Sequence, residues 1–213
     1  TGSLVVFAEI GNHCIINGPP LPEIINETLI KSSAELYLRP SILKDPLLQR
    51  ENTGNNAPAV IHISIVEGDK LKLQIAQKGG GAENMSQLKM LTPSAKADEI
   101  KNFVVETVTL AKGNACPPLI IGIGIGGNFE TCALLAKKAL FQPLTAKNPI
   151  ERYALLEQEI LKGVNETGIG VQGLGGKTTA LAVHILNAPC HIASLPVAVN
   201  LQCHSHRHIE IVI

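Results

Sequence analysis

Alternation of apolar and polar residues predicts several short strands in this chain. Residues 3–10 and 13–17 are β-rich runs and form a candidate hairpin. Residues 59–66 and 71–75 alternate around a Gly-Asp turn, which predicts a second β-hairpin. Three further runs of strand character follow near the C-terminus, at residues 180–186, 195–201 and 209–213.

A spacing of three or four between apolar residues predicts helices. The first extends from Pro22 to Leu38 and stops before Pro40, because a proline disfavours helix at the residue that precedes it. Residues 119–125 instead form an unbroken apolar run, typical of a strand buried on both faces. Four further helical patterns occupy residues 85–91, 98–111, 129–140 and 150–166.

The order of these elements indicates the fold class. Strands and helices do not alternate strictly, so we expect an α+β fold with mixed sheets and flanking helices, rather than a parallel α/β sheet. Two lobes that meet near Gly113 are one arrangement consistent with this order.

Composition and charge exclude several classes of partner. The 213 residues carry 18 basic and 18 acidic side chains, and this neutral balance argues against nucleic acid. No apolar run approaches the ~18 residues of a membrane span, so we expect a cytoplasmic protein. The five cysteines are an odd and scattered set, which favours metal binding or catalysis over a disulfide framework.

A glycine run that begins at Gly122 and ends at Gly127 matches the G-x-G-x-x-G pattern of dinucleotide sites. The acidic residue expected about 20 positions further on is missing, since the next carboxylate is Glu151 in a helical stretch. A nucleotide-binding module therefore remains a distant alternative, and glycines for a tight strand-to-helix turn are the preferred interpretation.

Two other patterns imitate known sites. Residues 173–179 resemble a phosphate loop, but Val171 stands where the Walker pattern needs glycine, which excludes a nucleotide hydrolase. His204, His206 and His208 alternate beside Cys203, yet there is no second Cys–His pair with zinc-finger spacing. We therefore favour exposed or supporting roles for these histidines over zinc binding.

A triple glycine at residues 79–81 follows Lys78 at the end of a predicted strand. Glycines let the backbone approach a ligand closely and leave its N–H groups free, which makes this segment a candidate anion cradle. A flexible turn is the alternative interpretation.

Several of these segments together resemble the iron–sulfur hydro-lyases of the class I fumarase and L-tartrate dehydratase family. Lys78, residues 83–86 and residues 175–179 favour the fumarase side of that family over the tartrate side. The matching segments occur in the family order, at residues 52–56, 78–86, 114–118, 122–127, 168–179 and 191–203.

The resemblance implies a 4Fe–4S cluster held by three cysteines, with the fourth iron open to substrate. Cys116 and Cys203 match two of these ligands. The third belongs to a Cys-Gln-Asp-Thr-Gly stretch whose last two residues match Thr1 and Gly2, so we expect it, with a catalytic Asp, in a segment upstream of Thr1. Cys14, Cys132 and Cys190 match no ligand and are interpreted as packing residues.

The resemblance also implies the reaction, the reversible hydration of fumarate to (S)-malate, with dehydration of L(+)-tartrate as the near alternative. The open iron would act as a Lewis acid that helps a hydroxyl leave. Arg39, Lys78 and Gly81 are the implied substrate-binding residues, and His191 is the implied catalytic residue. The remaining substrate ligands come from a second domain, so we expect a separate β subunit as partner.

Overall fold

A computed structural model describes residues 2–213, and Thr1 lies outside the described residues. These residues form two compact units, unit 1 up to Gly79 together with Arg207–Ile213, and unit 2 comprising Gly80–His206. The strands are β1 (Ser3–Gly11), β2 (Val60–Val66), β3 (Leu71–Lys78), β4 (Gln87–Leu91), β5 (Leu119–Gly126), β6 (Ala180–Ala188), β7 (Leu195–Gln202) and β8 (His208–Val212). The helices are α1 (Leu21–Glu35), α2 (Gly80–Asn84), α3 (Ala97–Ala111), α4 (Phe129–Ala139) and α5 (Glu151–Glu166).

The α+β prediction is confirmed, with one mixed four-stranded sheet in each unit. The division of the chain falls between Gly79 and Gly80, not near Gly113. Gly113 lies in a 3-10 turn between α3 and β5. Residues on both sides of that turn, such as Val108 and Ile121, belong to the same hydrophobic core, so the chain cannot divide there.

In unit 1 the strand order is β2-β1-β3-β8. Strand β1 is parallel to β2 and antiparallel to β3, so it separates the two strands that were predicted to form a hairpin. Both hairpin predictions are wrong, and residues 13–17 form no strand. Because β1 is apolar on both faces, with Val5 and Val6 both buried, it occupies the centre of the sheet. The short connection from β2 to β3 passes across the end of β1 and spans two strand spacings, ~10 Å.

One face of the unit 1 sheet is almost wholly aliphatic. Residues opposite each other in the register share a face of the sheet. Helix α1 lies over the centre of this face, since Ile25 of α1 lines one groove together with Val6 of β1 and Ile75 of β3. The aliphatic face, as we call it below, comprises Leu4, Val6, Ala8 and Ile10 of β1, Ile61, Ile63 and Ile65 of β2, Leu71, Leu73 and Ile75 of β3, and Ile209 and Ile211 of β8.

In unit 2 the order is β4-β7-β5-β6, with β5 parallel to β6 and antiparallel to β7. All eight residues of β5 are buried, which confirms the interpretation of the apolar run. Helices α3 and α5 contribute to the core on one face, and α4 packs on the other. The helix predicted over residues 85–91 is wrong, because that segment is β4, paired in antiparallel register with β7.

Two glycines in the middle of β5 let α4 approach the sheet. A Cβ on Gly122 would lie 2.1 Å from the carbonyl oxygen of Ala136, and one on Gly124 would lie 2.0 Å from that of Cys132. Only Gly126 and Gly127, with positive φ, form the turn that follows. The G-x-G-x-x-G pattern therefore serves mainly helix–strand packing, a geometry that does not support the nucleotide-binding alternative.

We predict that Gly124→Ala lowers the free energy of unfolding by about 1–3 kcal/mol, because the added methyl group overpacks the contact with α4. Gly163→Ala in α5 is the matched control, since its Cβ would meet only Val105 Cγ2 at 3.4 Å. That control should be stabilised by about 0.5–1 kcal/mol. Urea denaturation of both variants measures the difference, and equal stabilities would contradict this account of the glycine.

A second prediction concerns His184, which lies opposite Gly122 in the register and is 4% exposed. Burial, assisted by the nearby charge of His206, lowers the pKa of His184 from its ordinary value of 6.5. As the pH is lowered through 6.5, His184 therefore takes up a proton in the unfolded chain before it does so in the folded chain. The free energy of unfolding consequently decreases as the pH decreases. Unfolding free energies measured from pH 7.5 down to 5.5 should show a shallower fall for His184→Gln than for the wild type. Identical slopes would contradict this.

Candidate metal centre

The topology of unit 2 brings Cys116 and Cys203 to one end of its sheet. Ile120 of β5 pairs with Gln202 of the antiparallel β7, so the segment before β5 lies beside the segment after β7. The backbone N–H of His204 donates a hydrogen bond to the carbonyl oxygen of Cys116 at 3.3 Å. The backbone segments that carry these two cysteines, which are far apart in sequence, therefore lie side by side. Both cysteines are partly buried free thiols.

Cys116 is held in an unusual conformation at the end of the 3-10 turn Lys112–Ala115. Its φ of 57° and ψ of 63° are left-handed, a region that residues other than glycine seldom occupy. The backbone N–H of Cys116 donates to the carbonyl oxygen of Gly113 at 3.0 Å. Such conformations persist where the surrounding structure enforces them, which is frequent at functional sites.

Gln172 and His204 make hydrogen bonds to the backbone at Cys116 and Pro117. The backbone N–H of Gln172 donates to the carbonyl oxygen of Pro117 at 2.9 Å, and its side-chain Nε2 donates to the same oxygen at 3.2 Å. Nδ1 of His204 lies 3.3 Å from Gln172 Nε2 and 3.2 Å from the carbonyl oxygen of Cys116. The supporting role favoured for His204 agrees with these contacts, whereas sequence reasoning missed Gln172, for which the available signal was only the surrounding glycine-rich segment.

Close backbone contacts at glycines complete this arrangement. A Cβ on Gly81 would lie 2.7 Å from the carbonyl oxygen of Asn114, and one on Gly113 would lie 2.7 Å from that of Gln172. The triple-glycine segment is not a flexible loop, because Gly80 and Gly81 begin the short helix α2. Gly81 therefore lets α2 contact the turn that carries Cys116, a packing role beside the expected one in substrate binding.

Two buried amides lie at the end of β7, just before Cys203. Gln202 is 1% exposed, and its Oε1 has no hydrogen-bond partner among residues 2–213. The Oδ1 of Asn200, also buried, lacks one in the same part of the chain. Buried polar atoms are normally satisfied, so two amide oxygens without a partner are unusual in the strand that leads to Cys203.

The donor set fits two of the three thiolates that a 4Fe–4S cluster of this type requires. Cys14 belongs to unit 1, and Cys190 lies in the loop after β6. Cys132 is enclosed in α4, where burial raises the pKa of its thiol and so disfavours the thiolate. Within the described residues, no group of three His, Cys, Asp or Glu side chains could hold a metal ion. The expected third ligand precedes Thr1 and lies outside the described residues.

His191 is not brought to the cysteines within this chain. Strand β6 is parallel to β5, so the exposed loop that carries His191 lies at the end of the sheet opposite Cys116. The length of β5 separates the two ends by ~25 Å. The Nδ1 of His191 accepts a hydrogen bond from the backbone N–H of Ala193 at 3.1 Å, which orders the loop. Its catalytic role stays a prediction.

Arg39 and Lys78 belong to unit 1. Arg39 is exposed beyond the end of α1. Lys78 is buried at the end of β3, opposite Ser3 in the register. Gly2 packs against the same residue, since a Cβ on it would lie 2.0 Å from the carbonyl oxygen of Lys78.

Comparison with known proteins identifies a family and several relatives to which this chain is similar. A model of the family described as "Fumarate hydratase (Fumerase)" matches residues 1–212. A Methanocaldococcus jannaschii protein, provisionally named L(+)-tartrate dehydratase subunit alpha, is 43% identical over 97% of this chain and 74% of its own length. The L(+)-tartrate dehydratase subunit alpha of Escherichia coli K12 is 32% identical over 97% of this chain and 69% of its own length.

The chain belongs to the fumarate hydratase family, and the enzymes of this family are hydro-lyases. The resemblance drawn from the motifs is thereby confirmed. No helix among residues 2–213 combines the length and the apolar character needed to cross a membrane.

The packing at Gly81 yields a prediction. Gly81→Ala should displace Asn114 and the turn bearing Cys116, at a cost of about 1–3 kcal/mol in unfolding free energy, and should speed alkylation of Cys116. Gly80→Ala is the matched control, because a Cβ there meets nothing within 4 Å. Iodoacetamide labelling followed by peptide mass spectrometry reports on Cys116 directly. The same labelling rate in both variants would show that the contact is unimportant.

Proposed function

We propose that this chain is the cluster-binding alpha subunit of an iron–sulfur hydro-lyase that acts on a four-carbon dicarboxylate in the cytoplasm. The observation that supports it most directly is the hydrogen bond from the backbone N–H of His204 to the carbonyl oxygen of Cys116, because it sets the residue next to Cys203 against the other predicted ligand at one end of a sheet. Family membership supplies the reaction class, the addition of water or its removal.

Cys116 and Cys203 would hold the cluster together with a third cysteine upstream of Thr1. When bound, the cluster supplies an open iron that acts as a Lewis acid toward the substrate hydroxyl and carboxylate. The chain's part is to fix both thiolates. The left-handed conformation of Cys116 and the hydrogen bonds that Gln172 and His204 make to the carbonyl oxygens of Pro117 and Cys116 restrict the backbone that carries the first of them.

The remaining candidate residues have proposed roles in substrate recognition. The planar guanidinium of Arg39 suits a carboxylate, and Lys78 adds a second positive charge. Gly81 would let the substrate approach the backbone, and His191 would support proton transfer. These four roles follow from the family resemblance and from the chemistry of the side chains.

L(+)-Tartrate is the better supported substrate, with fumarate and (S)-malate as the second candidate. Both relatives described above carry the tartrate name, and one of them shares 43% of its aligned residues with this chain. The family model carries the fumarase name, and Lys78 with residues 83–86 and 175–179 gave the sequence-based preference for fumarate. The names of the relatives outweigh that preference, since it depends on a few short segments.

A beta subunit is the proposed partner. The relatives are named as alpha subunits, which implies a second chain in those enzymes. Acid–base and carboxylate-binding groups are needed on both sides of a bound dicarboxylate, and the partner would supply those on the far side. We therefore expect the alpha subunit to be inactive alone.

The ligand assignment predicts that Cys203→Ala, in the full-length subunit reconstituted anaerobically, binds little iron and has no activity. Cys190→Ala is the control, because this exposed cysteine lies in the loop after β6 and should leave iron content unchanged. Iron and sulfide analysis with absorption spectroscopy measures the loss. Normal cluster content in Cys203→Ala would refute the assignment.

Substrate preference is tested with the alpha and beta subunits assayed together under anaerobic conditions. We expect kcat/KM for L(+)-tartrate to exceed that for fumarate, and activity to vanish when the beta subunit is omitted. A higher kcat/KM for fumarate would restore the second candidate. Full activity of the alpha subunit alone would contradict the proposed partnership.

A further inference from the structure

The aliphatic face of unit 1 is covered along its centre and open along both edges. Helix α1 lies over the central strands β1 and β3, with which it lines one groove, and Val6 of β1 is fully buried. At one edge, Ile63 and Ile65 of β2 are 46% and 67% exposed. At the other, Ile209 and Ile211 of β8 are 54% and 39% exposed. Exposed apolar area on this scale costs about 25 cal/mol per Å², and contiguous patches of it mark contact surfaces.

Even the centre of the face is incompletely filled. A groove of about 450 Å³ runs between α1 and the sheet, and its lining includes Leu4 of β1, Leu73 of β3, Ile25 of α1 and Ile213. Protein interiors are normally packed without voids of this size. Helix α1 alone therefore does not complete this layer, and the missing cover must supply apolar side chains.

We propose that the segment preceding Thr1 in the full-length protein covers the aliphatic face. The match leaves 26% of the Methanocaldococcus jannaschii relative and 31% of the Escherichia coli relative outside it, the remainders of 74% and 69%. The family resemblance places at least the third ligand cysteine upstream of Thr1, and the proposal rests on that relationship. A small part of either remainder is long enough to cross a four-stranded sheet.

The geometry at the start of β1 favours this occupant over a second chain. Gly2 packs against the backbone of Lys78 at the end of β3, and Leu4, two residues later, already lines the groove. A segment that enters β1 therefore begins beside the surface that it would cover. Four strands spaced ~4.8 Å apart present a face that a helix of about 10–15 residues can cross, at 1.5 Å per residue.

Photo-crosslinking identifies the occupant directly. Benzoylphenylalanine placed at position 65 of the full-length subunit lies on the aliphatic face, and the same group at position 64 lies on the opposite face of β2. Irradiation, digestion and mass spectrometry should join position 65 to a peptide from before Thr1, and position 64 should not be joined to it. Mixing isotopically light and heavy protein distinguishes links within a chain from links between copies.

Thiol labelling gives an independent measurement. In the full-length alpha subunit alone, Ile211→Cys should react with a maleimide at least about tenfold more slowly than Ser64→Cys, because closed segments are labelled only through local opening. Protection that appears only at dimer-forming concentrations, or only with the beta subunit, would overturn the proposal in favour of those occupants. Rapid labelling under all conditions, or crosslinks from position 65 to another chain, would also overturn it.

These outcomes do not depend on the substrate. A subunit that covers its aliphatic face but turns over neither tartrate nor fumarate would refute the proposed function and keep this inference. The reverse result, full hydro-lyase activity with an open face, would refute the inference alone.

Discussion

The antiparallel pairing of β5 with β7 is the constraint on which the candidate metal centre depends. Its register sets Ile120 against Gln202, and this fixes which residues before β5 can lie beside which residues after β7. A slip of one residue would move every side chain of β7 to the other face of the sheet. Such a slip would place the polar Asn200 and Gln202 in the apolar core formed with α3 and α5, so burial enforces the register that brings the cysteines together.

The same sheet explains why small residues recur near the site. Gly122 and Gly124 admit α4 to one face of β5, and Gly81, Gly113 and their contacts let three backbone segments converge beside Cys116. Side chains at these positions would push the segments apart. The glycines therefore act here chiefly through close packing, which a motif search for nucleotide or phosphate sites does not distinguish from ligand binding.

Much of the fold could be predicted from local patterns, and the parts that could not depend on distant contacts. Strand β5 and helices α3, α4 and α5 follow from apolar runs and helical spacing. The predicted hairpins failed because β1 enters between β2 and β3, a choice made by burial of both faces of β1 and not by the turn sequence. For the site, motif order predicted Cys116 and Cys203 as ligands and the sequence suggested a supporting role for His204, but Gln172 became visible only through hydrogen bonds between distant segments.

The placement of β8 has a consequence for the order of events during synthesis. Strand β3 pairs on one side with β1 and on the other with β8, where Lys72 lies opposite Val212 and Leu71 exchanges backbone hydrogen bonds with Ile213. All of unit 2 is translated between these two strands. The outer edge of β3 therefore stays without its partner strand until the ribosome has synthesised and released β8. Because contacts between such distant residues form slowly, unit 2 has the opportunity to fold first, and until β8 arrives the open edge of β3 can pair with a wrong strand.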